Sequence, residues 1–250
     1  MSKKIFQHLS QRKEKGLKSF AVLIDPDKIT DNQSFTKLIL SCKENSIDYF
    51  FVGGSLLTTD NVGEIITLIK KNCNIPVVLF PGSNLQINKA ADAILFLSLI
   101  SGRNPDLLIG QHVIAAPLIK KYELEVIPTG YILVNAGNDT TVSYMSNTQP
   151  IPYDKPEVAA CTAIAGEMLG LRVIYMDAGS GAAQPISTDM VSKVGESIKT
   201  PLIIGGGINT APKAEAALNA GADMIVVGNG IEKNPDLLIE ISKTIQKMNC

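Results

Sequence analysis

The sequence predicts an α/β protein with the (β/α)8 or TIM-barrel architecture, formed by a single domain over residues 1–250. The length suits one such barrel. Eight short apolar runs follow one another along the chain, and segments of helical pattern separate most of them. The runs are continuous rather than alternating, which is typical of parallel strands that are buried on both faces. A doubly wound open sheet is the alternative.

The order of the elements follows from these runs and from helix-start signals. Asp31 is a predicted N-cap, Asn104 precedes a proline that suits a first helical turn, and Pro156 and Pro212 lie near two further helix starts. Residues 235–248 have the apolar spacing of a closing helix. The eight predicted strands are residues 20–25, 48–54, 76–82, 93–98, 125–134, 172–179, 201–207 and 223–230.

Two intervals depart from the regular alternation. Residues 81–93 are too few for a full crossover helix, so we expect a modified barrel whose third outer helix is missing or reduced to a turn. The barrel wall would then have an apolar groove beside strands three and four, and its candidate lining residues are Phe80, Leu97, Leu99 and Ile100. Residues 136–155 are polar and predict a long loop on the active-site face, where it could act as a lid.

Composition excludes several classes of protein. The net charge is −1, no basic run is present and aromatic residues make up 5%, so we expect no nucleic-acid partner. No apolar stretch is long enough to span a membrane, and the charged, amphipathic residues 1–16 do not resemble a secretory signal. Four scattered cysteines predict reduced thiols and a cytoplasmic protein.

Glycines follow the last two predicted strands, in "PLIIGGGINT" and "VVGNG". In α/β barrels the loops after strands seven and eight commonly bind phosphate, because glycine lets the backbone N–H groups approach the anion. We therefore expect a phosphate site there. The alternative is that these glycines only turn the strand ends.

A third glycine-rich end, "YMDAGSGA", follows the sixth predicted strand. Tyr175, Asp177 and Ser180 in this stretch can contact hydroxyl groups. A phosphate site beside several hydroxyl contacts indicates a small phosphorylated polyol as ligand.

The opposite side of the barrel mouth carries different chemistry. Asp25 and Lys28 end the first strand and Ser55 follows the second. Carboxylate and hydroxyl oxygens suit Mg²⁺ that carries substrate phosphate, although Asp25 could equally be a loop cap. Lys28 and Arg103, at the ends of strands one and four, could stabilise a diphosphate; a surface charge at a helix start is the alternative for Arg103.

The chain resembles the geranylgeranylglyceryl phosphate synthase family, which is related to the bacterial heptaprenylglyceryl phosphate synthases. The resemblance extends over essentially the whole chain and rests on "LIDPDK", "GGS", "SLISGRNPDLLIGQHV", "IPTGYILVNAG", "YMDAGSGA", "PLIIGGGINT" and "VVGNG". It implies a Mg²⁺-dependent prenyltransferase of ether-lipid synthesis. The C3 hydroxyl of sn-glycerol 1-phosphate would attack C1 of a polyprenyl diphosphate, geranylgeranyl diphosphate on the closer branch, and release pyrophosphate.

The resemblance also implies roles for single residues. Asp25 and Ser55 would bind the metal, and Asp177 would contact the glycerol hydroxyls and act as the base. Many relatives have Glu at the position of Asp177, so the side chain is shorter here by one methylene. The implied residues for sn-glycerol 1-phosphate are Tyr175, Met176, Asp177, Ala178, Gly179, Ser180, Gly181, Gly206, Gly207, Gly228 and Asn229.

Two other classes of function remain open from sequence. A phosphate-binding barrel isomerase or lyase would share the glycines, but no predicted strand carries a lysine within its apolar run. A non-catalytic barrel that binds a phosphometabolite or a prenyl lipid would need no metal ligands. We also expect a homodimer.

Overall fold

Nine strands form one sheet in the computed structural model, which describes residues 4–137 and 139–250. The strands are β1 (Ser19–Ile24), β2 (Tyr49–Val52), β3 (Val77–Leu79), β4 (Ala93–Leu99), β5 (Glu125–Asn135), β6 (Ile151–Pro152), β7 (Val173–Asp177), β8 (Leu202–Gly205) and β9 (Met224–Val227).

Eight of these strands close into a parallel barrel. Their order is β4-β3-β2-β1-β9-β8-β7-β5, and β4 also pairs with β5 in a register that runs from Ala93 opposite Glu125 to Leu99 opposite Tyr131. The two-residue strand β6 pairs with the end of β5, outside the barrel order. The predicted barrel is confirmed, and the open-sheet alternative is wrong because β4 and β5 join the two edges.

Helices follow most of the strands, and their starts agree with the sequence signals. The Asp31 carboxylate accepts hydrogen bonds from the next helix's first N–H groups, while Pro156 and Pro212 occupy first-turn positions. The helices are α1 (Lys4–Glu14), α2 (Asn32–Glu44), α3 (Val62–Asn72), α4 (Gln111–Tyr122), α5 (Thr141–Ser146), α6 (Pro156–Met168), α7 (Thr188–Ser197), α8 (Ala211–Asn219), α9 (Asn229–Lys233) and α10 (Asp236–Met248). A π-helical turn, Asp106–Gly110, leads into α4.

Both faces of the barrel strands are buried, which explains their continuous apolar runs. On β3, Val78 belongs to the cluster inside the barrel, whereas Val77 and Leu79 belong to the layer between the sheet and the outer helices. Alternate side chains thus enter two different cores, since successive residues of a strand point to opposite faces.

The third outer helix is missing, as predicted: residues 80–92 contain only a 3₁₀ turn, Asn84–Gln86. The predicted side groove, however, is wrong. Leu79 and Ile94 on the outer face are fully or almost fully buried, and they belong to the same outer core as Ala91 of the short segment. The proposed lining also divides among three regions. Leu99 is buried inside the barrel, Ile100 points towards Gly166 of α6, and Phe80 and Leu97 line the barrel mouth.

The long polar segment is more ordered than a loop. Within residues 136–155, of which 138 lies outside the described residues, the chain forms α5 and β6. Thr140 caps α5 in a reciprocal capping box with Ser143, a signal that its Thr-Thr-Val-Ser stretch contained.

Helix α1 closes the end of the barrel at which the strands begin. Ile5 and Leu9 are buried against the interior cluster, and the backbone N–H groups of Ile5 and Phe6 donate to the Glu125 carboxylate at 3.0 and 2.9 Å. At the same end, the Asn249 side chain bonds both the N–H and the carbonyl of Lys18. The opposite end of the barrel stays open. No helix in the described part of the chain is sufficiently long and apolar to cross a membrane.

Candidate active site

A cavity of about 300 Å³ opens at the carboxyl ends of the barrel strands. The loops after β1, β2, β7, β8 and β9 supply most of its polar lining. Asp25, Ser55, Ser180, Gly207 and Asn229 all line it, so residues from opposite halves of the sequence meet in one place. This is the end of an α/β barrel at which active sites occur.

Aromatic side chains from inside the barrel form part of the cavity lining. The Phe80 and Tyr175 rings stack with centroids 4.9 Å apart, and Tyr131 meets Phe80 edge-on at 6.0 Å. Such contacts fix ring positions beyond what burial alone would do. The polar groups above them therefore rest on a rigid surface.

Asp177 is the last residue of β7, and both of its carboxylate oxygens are held. The Tyr131 hydroxyl donates to Oδ2 at 2.6 Å, and the Gly179 N–H donates to Oδ1 at 2.7 Å. Burial raises the pKa of Asp177 above its ordinary value, and the two hydrogen bonds counter only part of that rise. A carboxylate that is buried, oriented and more basic than usual can accept a proton from a substrate hydroxyl.

The glycines after β7 and β8 have conformations that other residues avoid. Gly179, Gly181, Gly206 and Gly207 all have positive φ. A Cβ on Gly207 would lie 2.4 Å from the Gln184 carbonyl group, so backbone packing demands this glycine whether or not an anion binds. Gly207 thus has a structural reason of its own, and it also lines the cavity, so both interpretations of this glycine stay open.

Asn229 joins two of the predicted substrate segments. It begins α9 directly after Gly228, and its Nδ2 donates to Ser180 Oγ at 2.9 Å. Its Oδ1 accepts a hydrogen bond from Lys28 Nζ. The end of β9 is therefore linked both to the glycine-rich loop after β7 and to the loop after β1.

Asp25 lies at the end of β1, the strand next to β9 in the barrel, and belongs to a wall of the cavity that the loops after β1 and β2 form. Its Oδ1 accepts from the Asp27 N–H at 3.2 Å, so the cap that the sequence left as an alternative role does exist. Burial raises the pKa of Asp25, and the ammonium of Lys28, 3.7 Å from Oδ2, lowers it in part. A Cβ on Gly54 would lie 3.4 Å from Oδ1, so the loop that carries Ser55 passes close to this carboxylate.

The Asp27 side chain fastens this wall. Its carboxylate accepts from the backbone N–H and the hydroxyl of both Thr58 and Thr59, at 2.5–3.2 Å. The loops after β1 and β2 are thereby held together, which keeps Asp25 and Ser55 on one wall.

The donors on this wall suit a magnesium ion. Among the described residues no group of three or more His, Cys, Asp or Glu side chains could hold a metal. Asp25 and Ser55 are two hard oxygen donors beside an open cavity. Mg²⁺ usually keeps several waters and takes one or two carboxylates together with substrate phosphates, so this small donor set fits the ion.

Some predicted residues lie elsewhere. The side chains of Met176 and Ala178 are buried in the outer core, away from the cavity. Arg103 is exposed, and its guanidinium donates to the Gly102 carbonyl at 2.8 Å rather than facing the cavity. His112 is buried on α4, with Nε2 3.3 Å from Ser98 Oγ.

The structure adds two residues to the site. Tyr131 reaches Asp177 from β5, and Glu232 of α9 lies 3.0 Å from Lys28. Tyr131 stands within the quoted motif "IPTGYILV", whereas Glu232 follows "VVGNG" by two residues and lies outside the quoted motifs. Their partners are 46 and more than 200 positions away, so the sequence alone could not pair them.

Comparisons with known proteins agree along nearly the whole chain. The PcrB family profile matches residues 10–247. A geranylgeranylglyceryl phosphate synthase of Spirosoma linguale is 54% identical over 96% of this chain and 96% of its own length. One of Pyrococcus furiosus is 43% identical over 92% of this chain and 90% of its own length.

Solved structures give the same result. The (S)-3-O-geranylgeranylglyceryl phosphate synthase of Thermoplasma acidophilum, in complex with its substrate sn-glycerol-1-phosphate, superimposes with a TM-score of 0.90 at 31% identity, over 97% of this chain and 98% of that one. The N-acetylmannosamine-6-phosphate 2-epimerase of Clostridium perfringens, at 12% identity and a TM-score of 0.56, shares the fold alone.

Proposed function

Because the chain belongs to the PcrB family and is similar to its geranylgeranylglyceryl phosphate synthases throughout, we propose that it transfers a geranylgeranyl group to sn-glycerol 1-phosphate. The C3 hydroxyl oxygen attacks C1 of geranylgeranyl diphosphate. An ether bond forms, pyrophosphate leaves and the hydroxyl proton passes to a base. The product is a geranylgeranylglyceryl phosphate, a precursor of ether lipids.

The position of the Asp177 carboxylate is the observation that best supports this assignment. It is a buried, doubly held carboxylate directly beside Gly206, on which a Cβ would lie 2.8 Å from Asp177 Oδ1. A phosphate bound by Gly206, Gly207, Gly228 and Asn229 would leave the short glycerol chain within reach of Asp177. In our proposal Asp177 orients the glycerol hydroxyls and accepts the C3 proton, and Tyr175, Ser180 and the backbone of residues 176–181 complete the glycerol site.

In this proposal the prenyl diphosphate occupies the wall formed by the loops after β1 and β2. Asp25 and Ser55 would hold Mg²⁺, and Lys28 would contact the phosphate oxygens. Magnesium in this position would neutralise charge on the leaving diphosphate. Arg103 remains a predicted contact for the diphosphate. To bind it, the guanidinium would have to release its hydrogen bonds to the backbone carbonyls of residues 101 and 102.

The prenyl tail needs an apolar path away from the mouth. Phe80, Leu97 and Leu56 line the cavity. Leu56 is 51% exposed, and Leu85, in the short segment after β3, is 92% exposed. The turn that contains Leu85 is held in place by Gln86, whose side-chain amide accepts a hydrogen bond from the Gly54 N–H and donates one to the Gly54 carbonyl. We propose that the tail passes over the short segment after β3, where no outer helix stands in its way.

The protein would act as a homodimer in the cytoplasm. The exposed Ile109, Val113 and Ile114, on the π-turn and α4, offer an apolar face that a second copy could cover. The buried thiols of Cys42 and Cys73 suit a reducing compartment. Light scattering on the purified protein would give the mass of the assembly.

One experiment separates this function from its rivals. The purified protein is incubated with Mg²⁺, sn-glycerol 1-phosphate and C15, C20 or C35 prenyl diphosphates, and products are identified by mass. The proposal expects a C20 ether product and pyrophosphate. Binding of either ligand without product would favour a carrier. Conversion of a sugar phosphate without any prenyl diphosphate would favour an isomerase or lyase.

A further inference from the structure

A carboxylate lies inside the proposed anion site. Glu232 follows Asn229 by three residues and lines the same cavity. The Glu232 carboxylate and a phosphate bound in this cavity would repel each other, and the repulsion between two charges is larger near a protein surface than in bulk water. Glu232 alone would therefore oppose the binding of a phosphate, so its place in the cavity requires another reason.

The contacts of Lys28 supply that reason. Lys28 Nζ lies 3.0 Å from Glu232 Oε2 and 3.7 Å from Asp25 Oδ2, and it donates to Asn229 Oδ1. Three acceptors thus surround one ammonium group that has three N–H donors. One acceptor belongs to the proposed metal wall and two belong to α9, beside the proposed phosphate site.

We propose that Glu232 is a positioning residue, which holds the Lys28 ammonium at the boundary between the diphosphate site and the glycerol-phosphate site. From there one positive charge acts on both anionic substrates. A lysine side chain has a flexible four-carbon stem and does not hold such a position by itself. This inference rests on the proposed function and deepens it.

Two opposite effects follow for a variant that lacks the Glu232 charge. Lys28 loses its closest charged partner and takes up many conformations, which slows the chemical step. The phosphate of sn-glycerol 1-phosphate meets one negative charge fewer, so its affinity stays equal or increases. A residue that only stabilised the fold would instead weaken binding and turnover together. A surface ion pair without a role would change neither, since exposed pairs contribute little.

The first test compares Glu232→Gln with Glu240→Gln, an exposed glutamate on α10. We expect kcat of Glu232→Gln to fall about tenfold, while the Kd for sn-glycerol 1-phosphate from calorimetry stays equal or falls up to about threefold. Glu240→Gln should match the wild type in both measurements. Glu232→Asp, which restores the charge on a shorter stem, should recover part of the lost kcat.

The second test is a double-mutant cycle with Lys28→Met, followed by single-turnover kinetics so that slow variants remain measurable. If Glu232 acts through Lys28, Glu232→Gln causes no further loss in the Lys28→Met background. Additive losses, or a lower melting temperature with weaker binding in Glu232→Gln, would overturn the inference. A wild-type protein that makes no prenyl ether would overturn the proposed function and this inference with it. A wild type that makes the ether without coupling between the two residues would overturn this inference alone.

Discussion

The Tyr131 hydroxyl donates a 2.6 Å hydrogen bond to Oδ2 of Asp177, and both groups are buried at the base of the cavity. The bond stabilises the charged form of the carboxylate, whereas burial stabilises the neutral form. Burial is the larger of the two effects, so the pKa of Asp177 is raised. Tyr131 thereby limits how far the pKa of the proposed base rises.

Tyr131→Phe should shift the pH dependence of the reaction. Without the hydroxyl, the pKa of Asp177 rises further, because the Gly179 hydrogen bond alone then counters the effect of burial. The base must be unprotonated to act, so the acidic limb of kcat/KM against pH should move to higher pH, and the loss of rate should be greatest below that limb. Tyr49→Phe, at the far end of the barrel, is the matched control. A uniform loss at every pH would mean that Tyr131 has no effect on the proton of Asp177.

Asp25→Asn should raise the Mg²⁺ concentration required for half-maximal activity and lower the maximal rate about a hundredfold or more. Asparagine keeps the shape but loses the charge that attracts the ion. The measurement is initial rate against Mg²⁺ concentration. Asp60→Asn, on the exposed rim of the same wall, should leave the curve unchanged. The assignment of Asp25 to the metal fails if both variants titrate like the wild type.

Asn229→Asp should weaken sn-glycerol 1-phosphate binding about tenfold, because it adds a negative charge and removes the amide that donates to Ser180. Prenyl diphosphate binding should change less, which calorimetry with each substrate alone would detect. Asn229 is a cleaner probe than Gly207, where any side chain would collide with the Gln184 backbone. Equal weakening of both substrates would show that the two phosphates share one site.

Leu85→Glu should raise KM for long prenyl diphosphates and leave KM for a C10 diphosphate almost unchanged. Each buried methylene contributes about 0.8 kcal/mol, so only the tail that reaches Leu85 would lose binding energy. Leu169→Glu replaces another highly exposed leucine, 79% exposed directly after α6, and serves as the control. A C20 substrate that is insensitive to Leu85→Glu would place the tail on another path.

The sequence predicted the barrel correctly because its strand signal is strong. Strands buried on both faces, such as β3 and β8, leave continuous apolar runs that no amphipathic helix produces. Strand-end position also predicted the meeting of Asp25, Asp177 and Asn229, since the carboxyl ends of parallel strands converge at one rim of a barrel. The absence of the third helix followed from the small number of residues between the third and fourth predicted strands.

The wrong predictions concern the direction in which side chains point and the burial of the outer face of the sheet. Neither can be deduced from neighbouring residues in a single sequence. Leu99 and Ile100 are neighbours on the chain and point into different cores, so a list of adjacent apolar residues could not describe one groove. The outer faces of β3 and β4 are buried although no helix follows β3, and Ala91 of the short segment, which has no helical pattern, belongs to the same core. Two of the three partners of Lys28, Asn229 and Glu232, come from α9 and reach it only in the closed barrel.

The contacts of Glu125 with α1 and of Asn249 with Lys18 have a consequence for the order of folding. The first joins residues about 120 positions apart, and the second joins residues 231 positions apart. Pairings of such long range form slowly, because a large loop of chain must be ordered before they are made. During synthesis the base of the barrel therefore cannot be completed until α10 has left the ribosome. Until then the apolar face of α1, with Ile5 and Leu9, has no closed barrel to cover it, and transiently exposed apolar surface of this kind promotes aggregation.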